Sequence, residues 1–357
     1  MSKNLKYLII GDGASPHLLK WISALADHFD LYLISSRSVL PEIHSIIPDN
    51  QIVALNFSLD PDGGNLKMLS LLPVFIKQVK KWRPDILNAH YITSYGFLAA
   101  VASLVCSRRI ILVQSAWGSD ILVTPQKSML YKMVTKFALN RGHLITSDAR
   151  TMTEAIKKLT RNQVETFVFG LNSLPEISLS QKKPFSFFSN RAHTKNYRID
   201  HVIITFGVIA SNYPDAGLVI ANSGPETESL QKLAQRLHLT NQIEFTGFLN
   251  PKQQNQYYHQ SQFYFSLPES DSTSVSLLEA MAWGCIPIVS NIEANNEWIE
   301  DMKNGIYENA ELIEKIPKVL ATHHSIAAVN RQIISQRAIF PTLIQRYSSI
   351  IEKMASS

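Results

Sequence analysis

Short runs of β-prone apolar residues alternate with helix-period segments along almost the whole of this chain. Runs at Lys6–Gly11, Phe29–Ser36, Gln51–Phe57, Ile86–Tyr91, Ile110–Ser115, His143–Ser147 and Val164–Gly170 form one series. Runs at Phe185–Arg191, Gly217–Asn222, Ile243–Gly247, Phe263–Leu267 and Cys285–Ser290 form a second. A strand apolar throughout is buried on both faces, and strands joined through helices pair in parallel. Two such series in 357 residues predict an α/β protein of two doubly wound domains, with ligands at the carboxyl ends of the strands. Periodicity lapses at Leu171–Pro184 (LNSLPEISLSQKKP), which sets the domains at 1–172 and 184–338. Residues 339–357, with Leu343, Tyr347 and Ile351 at helical spacing, read as a helical tail.

Composition removes other classes. The apolar share of 45% against 18% charged is that of a globular chain rather than a disordered one. The longest apolar stretch, Phe97–Val113, is broken by Ser103 and Ser107-Arg108-Arg109, so no spanning helix is expected. MSKNLKYLII runs into an apolar stretch too short for a signal peptide, which points to the cytoplasm. Cys106 and Cys285 support neither a disulfide framework nor a thiolate metal site. A net charge of +5 without a clustered basic face argues against nucleic acid. It fits anionic small molecules or an anionic membrane surface equally well.

The segment Ser266–Glu297 (SLPESDSTSVSLLEAMAWGCIPIVSNIEANNE) carries the chemistry. It sets Asp271 just ahead of a short helix and Glu279 two turns inside, with Ser272, Thr273, Ser274 and Ser276 between. A helix N-terminus attracts an anion through its unpaired amides and the positive end of the dipole. Two acids flanking an anion site make sense for a nucleotide-sugar: diphosphate on the amides, hydroxyls of ribose and sugar to either side. Eight residues at 1.5 Å rise span about 12 Å, roughly that reach. The plainer alternative makes Asp271 or Ser272 an N-cap and Glu279 a solvated side chain.

The acidic pair separated by seven residues, followed by Glu279-Ala280-Met281-Ala282-Trp283-Gly284 and a short strand, resembles the signature of the retaining glycosyltransferases of family 4. The first acid there is usually Glu; here it is Asp271, in a run resembling an Asp-bearing variant. The resemblance implies the GT-B fold: two Rossmann-like domains facing an interdomain cleft, with the C-terminal helix crossing back to the N-terminal domain. It implies that Glu279 holds the ribose, that Asp271 orients the donor sugar, and that the Ser272, Thr273 and Ser274 amides meet the diphosphate. Metal-free relatives neutralise the diphosphate with an Arg and a Lys after the first strand of the second domain, here Arg191 and Lys195. Gly224 matches the turn before a helix, and Phe248 lies in the strand–loop that meets the base. No cofactor is implied beyond a UDP- or GDP-sugar donor.

In the N-terminal half, Gly11-Asp12-Gly13-Ala14-Ser15-Pro16 lacks the third glycine of a dinucleotide fingerprint, since Pro16 stands there. Ser15 reads as an N-cap with Pro16 at the first helical position. By resemblance this loop faces donor phosphates or acceptor, through Gly13 and Ser15. His90 lies at the end of one strand and Trp117 follows another, and the resemblance gives His90 contact with sugar or acceptor; the alternative is a structural histidine. Asp120 suits either an acceptor hydroxyl or a helix cap. Asp60-Pro61-Asp62 looks like a metal-binding DxD motif but reads as a turn, and no metal is expected. His323-His324 reads as an exposed pair. Lys77, Lys80, Lys81 and Arg83, interleaved with Ile76, Val79 and Trp82, read as a solvated helix face, with peripheral contact to an anionic membrane as the alternative.

The expectation is a metal-independent hexosyl- or N-acetylhexosaminyl-transferase acting on a glycan or polyprenyl-linked acceptor. Surface polysaccharide synthesis (lipopolysaccharide or capsule), at the inner face of the cytoplasmic membrane, is what the resemblance implies. The competing readings are a GT-B epimerase or phosphorylase, and a non-catalytic nucleotide-sugar-binding protein.

Overall fold

A computed structural model describes residues 5–57, 66–106 and 109–356; the Asp60-Pro61-Asp62 motif lies outside them. The chain divides into two compact units, Met1–Val168 with Pro341–Ser357, and Phe169–Phe340.

The first unit holds seven strands: β1 Lys6–Gly11, β2 Asp30–Ser35, β3 Ile52–Ala54, β4 Ile86–His90, β5 Ile111–Ser115, β6 Leu144–Ser147 and β7 Val164–Thr166. They form one sheet in the order β3-β2-β1-β4-β5-β6-β7, every pair parallel. β4 and β5 are buried at every residue, which is why they read as unbroken apolar runs. The strand order reverses between β1 and β4, so the loops after Gly11 and His90 diverge there. The helix Phe340–Ser356 belongs to this unit from Pro341 onward. Tyr347 anchors it: its ring packs edge-on against Phe167 and Trp21, and its hydroxyl meets that of Tyr7.

The second unit holds six strands: β8 Lys183–Ser189, β9 Gly217–Ala221, β10 Ile243–Gly247, β11 Ser261–Ser266, β12 Ile286–Val289 and β13 Ile306–Tyr307. Their order is β10-β9-β8-β11-β12-β13, again all parallel. The reversal falls between β8 and β11, which sets the residues following each at one point. Phe187, Phe263 and Phe265 stack at the centre of this sheet.

Residues 169–184 pack within the second unit. Leu171 bridges Ile339, Lys182 Nζ donates to the Tyr258 carbonyl at 2.7 Å, and Ile177 and Leu179 press against Gly284. The basic helix spans Leu72–Trp82, and its apolar residues Phe75, Val79 and Trp82 are buried while Lys77, Lys80 and Lys81 are exposed. Its apolar side is therefore spent on the core, leaving a solvated basic face. His323 corrects an expectation: it is buried, with Nε2 at 2.8 Å from the Gly284 carbonyl, and only His324 is exposed.

Candidate functional site

In the second unit, Arg191 follows β8 and Asp271 follows β11, on the two sides of the order reversal. Arg191 is 8% exposed. Its Nη2 lies 2.6 Å from Asp271 Oδ2, and its Nη1 donates to Ser276 Oγ at 3.1 Å and to Ser274 Oγ. The guanidinium carbon sits 4.2 Å from the Tyr197 ring centre. Stacking and a fork of hydrogen bonds hold a planar cation in one orientation. Burial pushes the Asp271 carboxyl up, and Arg191 and the Ser272 amide pull against that.

The helix here spans Val275–Ala282, so it starts four residues after Asp271, and Glu279 lies one turn inside rather than two. The cap is Ser274, whose hydroxyl accepts from the Leu277 amide at 3.3 Å; neither Asp271 nor Ser272 takes that place. The Ser272 amide donates to Asp271 Oδ1 at 3.0 Å, so it does not stand open as an anion donor. Thr273 and Ser274 are buried beside it. Gly284, at φ +71, lets the chain turn from this helix into β12.

Glu279 is oriented by two side chains absent from the sequence reading. Gln254 Nε2 and the Tyr258 hydroxyl each lie 3.0 Å from Glu279 Oε2. Both come from the helix Pro251–Gln260, at i and i+4 on one face. Tyr258 is fully buried and receives a hydrogen bond from Asn190 Nδ2 at 2.9 Å, while Asn190 Oδ1 accepts from the Tyr264 hydroxyl. Burial, then the Glu279 charge, keeps the Tyr258 phenol protonated. A Tyr and a Gln four apart in a polar helix carry no signal of this task; only the fold aims them at Glu279.

Lys195 opens the short 3-10 turn Lys195–Tyr197 after β8 and is exposed. Phe248 follows Gly247 at the end of β10 and is 80% exposed. Gly224 serves close packing, because a Cβ there would meet the His193 carbonyl oxygen at 2.5 Å. That contact knits the loop after β8 to the loop after β9. His193, unremarked in the sequence, is buried there with Nδ1 at 2.8 Å from Thr227 Oγ1. Its Nε2 has no hydrogen-bond partner among the described residues.

The first unit places several of the expected site residues in its interior. Gly13 is buried, its amide donates to Ser35 Oγ at 2.8 Å, and a Cβ would strike that hydroxyl, so its amide is not presented to phosphate. Ser15 occupies the cap position of the helix Pro16–Leu25 but makes no side-chain cap bond. Asp120 is buried and accepts three amides, from Ile92 at 2.8 Å and from Trp117 and Gly118 at 3.0 Å each. It ties two strand-end loops together. His90 is 2% exposed, its Nδ1 accepts the Trp117 indole N–H at 3.0 Å, and Nε2 lies 3.3 Å from Asn88 Nδ2. Burial depresses its pKa to about 3. It is an interior imidazole that burial keeps neutral.

Trp117 itself is half-buried, with its ring stacked on Tyr91 at 16° between planes and His17 alongside. Tyr91 stands at φ +77, an uncommon backbone for a residue with a Cβ. It ends β4 one residue early, where a β-prone tyrosine reads as strand. Among the described residues, no group of three or more His, Cys, Asp or Glu side chains is placed to hold a metal ion, and no helix is long and apolar enough to cross a membrane.

Residues 6–149 match the family described as "Glycosyl transferase 4-like", and residues 172–332 match "Glycosyl transferases group 1". N-acetyl-alpha-D-glucosaminyl L-malate synthase of Bacillus anthracis is 24% identical over 239 residues, which are 62% of this chain and 60% of that protein. Alpha-monoglucosyldiacylglycerol synthase of Streptococcus pneumoniae is 28% identical over 121 residues, 33% of this chain and 27% of that one. The chain thus spans less than two thirds of the length of these relatives. Among solved structures, Anabaena HepE in complex with UDP superposes with a TM-score of 0.80 at 17% identity, over 98% of this chain and all of that one. Sucrose-phosphate synthase from Thermosynechococcus elongatus gives 0.76 at 12%, over 99% and 100%. At such identities the likeness is one of fold.

Proposed function

Since the chain belongs to the group 1 glycosyltransferases and has their two-domain GT-B fold, we propose that it moves a hexose or N-acetylhexosamine from a nucleotide-diphosphate sugar to an acceptor hydroxyl, retaining the anomeric configuration and using no metal. The observation that carries this is the buried Arg191, locked by Asp271, Ser274, Ser276 and Tyr197 at the strand-order reversal. A fixed cation there is ready for charge that grows on a leaving diphosphate, without reorganisation during the reaction.

In this reading Arg191, joined by the exposed Lys195, neutralises the diphosphate beside the Thr273 and Ser274 segment. Glu279, its carboxylate aimed by Gln254 and Tyr258, takes the ribose hydroxyls. Phe248 offers its open ring to the base. Asp271 serves chiefly to hold Arg191, and reaches a sugar hydroxyl only from that position. The C1–phosphate bond breaks as the acceptor oxygen bonds C1 from the same face. The acceptor's proton passes to the departing phosphate, and nucleoside diphosphate leaves. Trp117 and Tyr91 line the acceptor side in place of His90, Asp120 and Gly13.

HepE has been crystallised with UDP-glucose and with UDP and glucose, which favours UDP over GDP as the nucleotide to test first. A glycan or lipid-linked acceptor, as in bacterial surface polysaccharide synthesis, is the class proposed. The test is release of UDP from UDP-sugars with and without candidate acceptors. Acceptor-dependent release with the product anomer unchanged supports the proposal; tight UDP-sugar binding with no turnover for any acceptor overturns it.

A further inference from the structure

Polar side chains form a continuous row through the interior of the first unit. Tyr7 on β1, Asn88 and His90 on β4, and Tyr347 on the helix Phe340–Ser356 are each 2% exposed or less. Asn88 and His90 stand two apart and so share one face of their strand. The Tyr347 hydroxyl meets that of Tyr7, and the Tyr7 hydroxyl lies 2.7 Å from the Asn88 amide. That amide is 3.3 Å from His90 Nε2, and His90 Nδ1 is 3.0 Å from the Trp117 indole nitrogen. Trp21 walls the row, edge-on to both His90 and Tyr347. Apolar side chains would fill this space without the desolvation cost that each buried polar group carries until it is paired. The row joins the C-terminal helix to the half-buried Trp117 ring, and that connection is what apolar packing could not supply.

Proton accounting gives the row a direction. The Trp117 indole can only donate, so His90 Nδ1 accepts, and the ring, kept neutral by burial, carries its proton on Nε2. With Asn88 Nδ2 facing that Nε2–H, donor would stand against donor. Turned over, the amide meets it with its oxygen instead. The same oxygen accepts from the Tyr7 hydroxyl, while the NH2 on the other side donates to Ser115 Oγ, 2.9 Å away. Having given its proton to Asn88, Tyr7 accepts from Tyr347, and burial holds both phenols protonated. Donors thus converge on Asn88 from both ends, and no member turns without breaking a bond to its neighbour.

We propose that Tyr347 is a positioning residue: through Tyr7, Asn88 and His90 it holds the Trp117 ring, so the seating of the helix Phe340–Ser356 sets the aromatic surface offered to the acceptor. The acceptor half of this statement rests on the transfer reading above; the relay does not. Heteronuclear NMR of the isotope-labelled full chain should show His90, assigned through His90→Asn, as the Nε2–H tautomer at neutral pH. The Nδ1–H tautomer overturns the proposal. Tyr347→Phe removes one hydroxyl and keeps the ring against Phe167 and Trp21. It should move the indole N–H peak of Trp117, assigned through Trp117→Phe, and leave those of Trp82, Trp283 and Trp298 in place. Tyr7→Phe, which cuts the row one step nearer, should move the same peak further. A folded Tyr347→Phe protein with the Trp117 peak unmoved overturns the proposal, because a hydroxyl that serves packing alone would change stability and nothing else. In the transfer assay Tyr347→Phe should raise the acceptor KM by about 2- to 12-fold, the range of one neutral hydrogen bond, with kcat and the donor KM unchanged. A peak that moves while the acceptor KM stays put confirms the relay and takes Trp117 off the acceptor side, so the two readings fail separately.

Discussion

His90 gives the sharpest test of how the first unit is built. Its ring is 2% exposed and accepts an indole N–H at Nδ1, so protonation must both charge an interior site and set a proton against that N–H. The depressed pKa of about 3, against 6.5 in the unfolded chain, fixes the sign. The stability that this group contributes is complete above pH 6.5 and is lost as pH falls toward 3. Between pH 7.5 and 5 the loss is about 2 kcal/mol, from 1.36 kcal/mol per pKa unit of linkage. Proton NMR of the imidazole Cε1–H signals, assigned by subtraction with His90→Asn, should find this ring neutral down to pH 4. Urea unfolding of His90→Asn should show a pH dependence flatter by the same ~2 kcal/mol, since the amide can accept from Trp117 but does not titrate. A His90 signal titrating near pH 6.5 would refute the argument and return the ring to the solvent-facing site.

Four further outcomes follow from the second unit. Glu279→Ala removes a charged acceptor; at about 1.5–3 kcal/mol for hydrogen bonds to a charge, UDP binding by calorimetry should weaken roughly 10- to 150-fold. Tyr258→Phe, which keeps the Glu279 charge but loosens the carboxylate and takes a partner from Asn190, should cost less UDP affinity than that. Phe248→Ala should leave unfolding within about 0.5 kcal/mol of wild type, because the ring is mostly in solvent. Its UDP affinity should nevertheless fall by about 1–3 kcal/mol if the ring stacks on the base, and unchanged affinity would remove it from the site. Arg191→Met strands Asp271 in a buried position and should destabilise the second unit by about 3–5 kcal/mol; restoring most of that with Asp271→Leu would confirm that the loss is an uncompensated charge.

The alternation of buried runs was legible from residue types alone, because a strand covered on both faces needs apolar side chains throughout. β1 falls on its expected bounds for that reason; β10 also keeps its expected bounds, though as a partly buried edge strand. β13, two residues long, is too short for any period to register. The signature helix was legible in kind but not in start: Ser272, Thr273, Ser274 and Ser276 are all good openers, and the sequence offers no means of ranking them. The structure ranks them, because Ser274 is the one whose hydroxyl reaches the Leu277 amide.

What the sequence determined by itself is the two parallel α/β units and the residue types that crowd the strand ends, since both follow from local pattern and hydrophobic period. Tertiary structure alone decided which polar groups find partners within the protein. Asp120, Gly13 and His90 look available in one dimension, yet each is consumed by a partner distant in the chain: Ile92, Ser35 and Trp117 respectively. It also decided which amphipathic helix keeps its apolar side outside. Leu72–Trp82 and Met129–Arg141 both mix lysine with apolar residues, and only packing determines that Val79 and Trp82 go inward while Met129 and Met133 face outward. Burial and pairing are properties of neighbours brought together by the fold, and no local spacing encodes them.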